Sequence, residues 1–170
     1  SRTQMWEYHK KYGNLIQFAG FEMPVWYKGI VPECLAVRSG VGIFDISHMG
    51  RLLVSGAEAE KFLDYVTTNR VRSLGQYEGH YTVMCNEQGG TKDDLVVLKL
   101  EQELFLMIYN AINREKNYSW LKRNVQRFKV DLEQISDRVA MFSLQGPKAQ
   151  LTLQKLSAED VSTIRRFCCK

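Results

Sequence analysis

Two adjacent carboxylates, Asp93 and Asp94, are the most suggestive chemistry in the sequence. They follow a glycine-containing stretch, Asn86-Glu87-Gln88-Gly89-Gly90, and precede the apolar run Leu95-Val96-Val97-Leu98. Neighbours on a strand point to opposite faces, so the pair is not expected to act as a shared dyad. One acid should meet solvent or a turn amide, and the other should face inward, where it needs a polar partner. The inward one is either a structural group that caps a turn or pairs with a lysine, or a perturbed group with a chemical role.

Three further positions join this pair. Tyr81 stands across the expected hairpin and either lines the same cavity as the inward aspartate or packs in the core. Met49 follows His48 in a turn between two strands, where methionine commonly fills core gaps. Asn110 marks the change from strand to helix, so it is either a helix N-cap or a polar group at the sheet's end. The histidines His9, His48 and His80 lie far apart, without metal-ligand spacing. The sequence has no Gly-x-Ser-x-Gly, phosphate loop or Gly-x-Gly-x-x-Gly, so phosphate-cradling nucleotide chemistry is not expected.

The elements that must hold these residues are legible from periodicity. Strands are expected over 80–85, 95–98 and 104–109, joined by short reversals into an antiparallel meander. The last two are continuous apolar runs, which predicts that both their faces are covered. A helix from about 113 to 127 carries Trp120, Leu121, Val125 and Phe128 at helical spacing. Ser55-Gly56-Ala57-Glu58 fits a capping box, opening a helix with Phe62, Leu63 and Val66 on one face.

Upstream, a helix is expected over 3–13 with Met5, Trp6, His9 and Tyr12 as a stripe, and another over 31–39 between Pro32 and Gly40. Strands are expected near 15–19, 43–46 and 52–54, with an extended aromatic stretch at 21–27. Downstream, 129–135 and 138–144 are strand-like, and Gln145-Gly146-Pro147 starts a helix carrying Leu151. Strands and helices interleave without long parallel crossovers, so the fold class is α+β, with antiparallel sheets and flanking helices.

Composition excludes several classes. With 170 residues, 45% hydrophobic and 25% charged, the chain reads as globular, not disordered. The net charge of +4 is spread along the sequence, which argues against a nucleic-acid partner. No stretch approaches the ~20 apolar residues of a membrane span. Cys34, Cys85, Cys168 and Cys169 show no zinc spacing and read as free thiols in a reducing compartment.

Seven stretches, in order, resemble the glycine-cleavage T-protein family. They begin with Phe18-Ala19-Gly20-Phe21-Glu22-Met23-Pro24-Val25-Trp26-Tyr27, Cys34-Leu35-Ala36-Val37-Arg38 and Gly42-Ile43-Phe44-Asp45-Ile46-Ser47-His48-Met49-Gly50. Asn86-Glu87-Gln88-Gly89-Gly90, Asp93-Asp94-Leu95, Asn113-Arg114-Glu115-Lys116 and Leu144-Gln145-Gly146-Pro147-Lys148-Ala149 complete the set. The resemblance implies a folate-binding, T-protein-like fold and a tetrahydrofolate-dependent aminomethyltransferase. Such an enzyme takes the one-carbon unit from the aminomethyl-lipoyl arm of H-protein and releases ammonia, with no metal. It implies Asp94 as the catalytic, folate-contacting carboxylate, and Met49, Tyr81, Ile108 and Asn110 as folate-cavity residues.

The family pattern also implies a discontinuous, incomplete first domain, 1–47 plus 138–170, and a second domain over 48–137. Family members continue beyond residue 170, so a truncated chain or one piece of a larger assembly is expected. So is a cytoplasmic location, or the mitochondrial matrix if a transit peptide was removed. A folate domain of a demethylating dehydrogenase, an iron–sulfur assembly factor and a non-catalytic fragment are the alternatives.

Overall fold

Alternating burial along β-branched and aromatic runs builds the strands, and amphipathic segments build the helices that cover them. The computed structural model describes all 170 residues. The first half contains α1 (Trp6–Tyr12), β1 (Asn14–Phe18), β2 (Phe21–Trp26), α2 (Ile30–Ser39), β3 (Gly42–Asp45), β4 (Gly50–Ser55) and α3 (Ala59–Val66). The rest contains β5 (Gly79–Cys85), β6 (Thr91–Glu101), β7 (Leu104–Tyr109), α4 (Arg114–Val125), β8 (Asp131–Gln134), β9 (Phe142–Gln145) and α5 (Ala149–Gln154). No helix is long and apolar enough to cross a membrane.

The chain divides into two units: Ser1–His48 with Asp137–Ile164, and Met49–Ser136 with Arg165–Lys170. The closing segment is a correction to the expected boundaries, which put 138–170 wholly in the first domain. Gly79 N–H donates to the Phe167 carbonyl at 2.7 Å, Cys169 N–H donates to the Tyr77 carbonyl at 2.8 Å, and Arg165 pairs with Glu78 at 2.7 Å. Pairing with the β5 edge therefore binds 165–170 to the second unit.

The second unit is a five-stranded sheet in the order β5-β6-β7-β4-β8. Its β5–β6–β7 portion is the expected meander, with every neighbouring pair antiparallel. Asp93, Leu95, Val97 and Lys99 of β6 face the core, as do Phe105, Met107 and Tyr109 of β7. Phe62, Leu63, Val66, Trp120 and Leu121 pack on that side. Each fully buried large apolar side chain contributes roughly 1.5–3 kcal/mol.

The opposite face of β6 and β7 is only half-covered, at Val96, Leu98, Leu106 and Ile108. That corrects the expectation that both faces are buried: α3 and α4 pack on the other side. The capping box is not formed either. Ser55 ends β4, and Glu58, the residue before α3, accepts from Lys129 N–H at 3.0 Å. Gly50 opens β4 opposite Tyr109, whose ring would lie 2.1 Å from any Cβ there. A glycine is therefore required for the two strands to close.

The first unit has two two-stranded sheets, β1–β2 and β3–β9. Its interior is small and half polar: Thr3, His9 and Ser47 are buried with Phe21, Met23 and Val161. Of the expected α1 stripe only His9 is buried, and Tyr12 is 51% exposed. At its centre His9 Nε2 meets Asp45 at 2.8 Å and His9 Nδ1 meets the Tyr27 hydroxyl at 2.7 Å. A neutral ring that donates from Nε2 and accepts at Nδ1 satisfies both contacts.

Candidate functional site

The register of the large sheet gathers the five residues singled out above onto one face. Tyr81 pairs with Val96, Val96 with Ile108, and Ile108 with Arg51, making one row across β5, β6, β7 and β4. In the adjacent row Val83 pairs with Asp94. Leu95 opposes Tyr109 and Gly50 opposes Tyr109, so continuing the register sets Asn110 and then Met49 beside Asp94. Strands lie about 4.8 Å apart, so each row spans some 14 Å. Val96 and Ile108 give this patch apolar ground, with the polar groups concentrated at the Asp94 end.

Asp94 is exposed, on the open face, and its carboxylate is held by neutral donors. Oδ1 accepts from Asn110 Nδ2 at 3.1 Å, and Oδ2 accepts from the Tyr81 hydroxyl. The buried member of the pair, which strand alternation left open, is Asp93, 4% exposed. The strand's two-residue period puts Asp93 on one face with Leu95 and Val97 and Asp94 on the other with Val96 and Leu98, and α3 and α4 cover the first of these faces. A concavity of about 430 Å³ in this unit is lined by Lys92, Lys116, Ser119, Trp120 and Arg123, and holds none of the five residues.

Tyr81 is 49% exposed, so of the two roles left open for it, core packing is excluded. Its hydrogen bond to Asp94, then burial and the charges of Asp94 and Asp93, raise its phenol above the ordinary value. The bond is available while Tyr81 is protonated and is lost as pH rises through that raised value. Asp94→Asn is therefore expected to return the Tyr81 phenol toward the usual range near 10. NMR titration of labelled tyrosine rings measures this, and an unmoved Tyr81 would disprove the contact.

Asn110 does not cap a helix with its side chain. It precedes a 3-10 turn over Ala111–Asn113 and reaches both acids instead. Its Nδ2 is 2.8 Å from Asp93 Oδ1, and its backbone N–H donates to Asp93 Oδ2 at 3.2 Å. Asn113 and Asn117 donate to the same carboxylate at 2.7 and 2.5 Å. Sequence reasoning missed these two. The signal was present, because asparagines four apart at a helix start lie on one face. Arg51 was missed too: it is 2% exposed, donates to the Met49 carbonyl at 3.1 Å, and also donates to the Ser136 carbonyl.

Comparison with known proteins follows the same lines. The model of the GCVT N-terminal domain family matches residues 5–167, and the chain belongs to that family. The aminomethyltransferase of Thermoanaerobacter sp. (strain X514) is 46% identical over 170 residues, covering 99% of this chain and 46% of that protein. The aminomethyltransferase of Thermotoga maritima is 46% identical over 167 residues, with 98% and 46% coverage. The crystal structure of glycine cleavage system aminomethyltransferase T from Bartonella henselae superposes with a TM-score of 0.89 at 28% identity, over 99% of this chain and 46% of that one. The fold is thus the T-protein fold, and the chain spans about half the length of the curated relatives it matches.

Proposed function

We propose that this chain carries the tetrahydrofolate-facing part of an aminomethyltransferase of the glycine cleavage system. The observation that carries the proposal is the Asp94 carboxylate, aimed by Tyr81 and Asn110 at the edge of a half-open apolar sheet face. Family membership and the names of the relatives support the same assignment.

The reaction moves one carbon between nitrogen and sulfur nucleophiles. Two folate N–H groups give up their protons as two N–C bonds form to the methylene. The C–S bond to the lipoyl arm of H-protein and the C–N bond to the leaving amine break. One proton ends on the dihydrolipoyl sulfur and the other on ammonia. Positive charge gathers on the methylene-iminium group as ammonia leaves, and the Asp94 carboxylate, already fixed by Tyr81 and Asn110, stabilises it. Tyr81 and Asn110 occupy the carboxylate's other lone pairs, so it does not reorient. Val96, Ile108 and Met49 offer apolar contact to the aromatic rings of the folate. Positioning of folate against the lipoyl arm supplies a large part of the rate.

The protein works with lipoylated H-protein, in the cytoplasm, or in the mitochondrial matrix after removal of a transit peptide. The test is a transfer assay with aminomethylated H-protein and tetrahydrofolate, using a full-length protein that carries this segment. Formation of methylenetetrahydrofolate and ammonia in equal amounts supports the assignment, and absence of transfer refutes it.

A further inference from the structure

We propose that Asp93 is a positioning residue that aims Asp94 through Asn110. This rests on the reading of Asp94 as the reacting carboxylate. Asp93 is a buried acid that takes only neutral donors, and those donors all come from one segment of chain. Oδ1 accepts from Asn110 Nδ2 and Asn113 Nδ2, and Oδ2 accepts from the Asn110 backbone N–H and Asn117 Nδ2. The end of β7 and the first turn of α4 are thereby wrapped around a single side chain. The partial positive charge at the start of α4 favours a carboxylate there.

The link to the reacting group is the Asn110 amide. Its Nδ2 also lies 3.1 Å from Asp94 Oδ1 and 3.1 Å from the Asp94 carbonyl. One NH₂ group therefore bridges two carboxylates on opposite faces of β6. A free asparagine end could rotate about its last torsion and present either its oxygen or its nitrogen. With Asp93 behind it, only the nitrogen satisfies the site, so Asp94 always meets a donor. Asp93 does not touch the open face; it acts through its neighbour. A burial this costly for a carboxylate is unnecessary for core packing, since an apolar side chain would fill the space without four donors.

The test has two readouts. In this chain, labelled with ¹⁵N and free of folate, the Asn110 side-chain protons should exchange with water at least tenfold more slowly than those of the exposed Asn14. Asp93→Asn should remove that protection while the core methyl signals of Leu95 and Val97 stay in place. In the full-length protein the same substitution should lower kcat about tenfold or more with little change in the KM for tetrahydrofolate, as expected for misplacement without loss of a binding contact. If Asp93→Asn does not fold, Asn113→Ala, at a half-buried position, is read the same way. It should speed Asn110 exchange severalfold and lower kcat.

Unchanged Asn110 exchange in the substituted protein overturns the proposal, and so does protection lost with kcat intact. Failure of the underlying reading looks different: Asp94→Asn would keep its turnover while the Asn110 protection still depended on Asp93.

Discussion

Asp94→Asn, in a full-length protein carrying this segment, is expected to lower one-carbon transfer by about 10²–10³-fold, the usual scale for removing one preorganised charge-stabilising group. The substitution keeps the shape and removes the negative charge, so the stabilisation of the departing iminium is what disappears. Asp94 lies on the exposed face and has no core contact to lose. Its melting temperature should therefore move no more than is usual for an exposed position. The contrast between a large kinetic loss and a small thermal one is the signature of a chemical role. Matching losses in activity and stability would instead make Asp94 a structural acid that happens to meet Tyr81.

Asp45→Ala should do the reverse, destabilising the first unit by about 3–5 kcal/mol while leaving the sheet of the second unit folded. The side chains of His9 and Asp45 are each 3% exposed, so little water can replace what is removed. Loss of the carboxylate orphans His9 Nε2–H and the Ser47 backbone N–H, which donates to Asp45 at 2.8 Å. Tyr27, its phenol pushed up to about 12 by burial and then by Tyr8, Asp45 and Glu33, stays protonated and keeps its bond to the ring.

The pH dependence of this cluster has a definite sign. Burial pushes Asp45 upward, but hydrogen bonds from His9 and Ser47 more than offset it and hold the acid below its ordinary value. The unfolded chain then binds more protons than the native one at acidic pH, so the stabilisation is complete above about pH 4 and is lost as pH falls through the lowered value. Urea titrations of wild type and Asp45→Ala, followed by signals from the first unit, should converge below that range. Equal stability of the two proteins at neutral pH would show that the cluster contributes nothing.

What the sequence made legible follows from which forces are local. The meander was readable because its strands are apolar runs set off by short reversals, and the Asn86–Gly90 turn is closed by Asn86 Oδ1, which accepts from Gly90 N–H at 2.7 Å. The split of Asp93 from Asp94 followed from strand alternation alone. Which of them is buried did not, because that depends on the side of the sheet to which α3 and α4 return. The capping box failed for a similar reason. Glu58 had the right spacing, but its carboxylate accepts from Lys129 N–H, some 70 residues away in sequence, and no local pattern reports that partner. The spacing of Asn113 and Asn117 put them on one helix face, but the buried acid they serve lies on β6, which no local pattern reports.

The half-covered sheet face shows the same limit. Val96, Leu98, Leu106 and Ile108 are as apolar as the residues behind them, so composition predicts two buried faces, whereas α3 and α4 cover one and the other stays half-exposed. Apolar runs record what a surface is suited to meet, and not what is present to meet it.

The most direct measurement is to titrate tetrahydrofolate into the ¹⁵N,¹³C-labelled chain and map the perturbed NMR signals. If the open face receives the folate, shifts should concentrate on Met49, Tyr81, Asp94, Ile108 and Asn110, leave α1 and α2 unmoved, and vanish in Asp94→Asn. Perturbations that avoid those five positions, or that persist unchanged without the Asp94 charge, would contradict it.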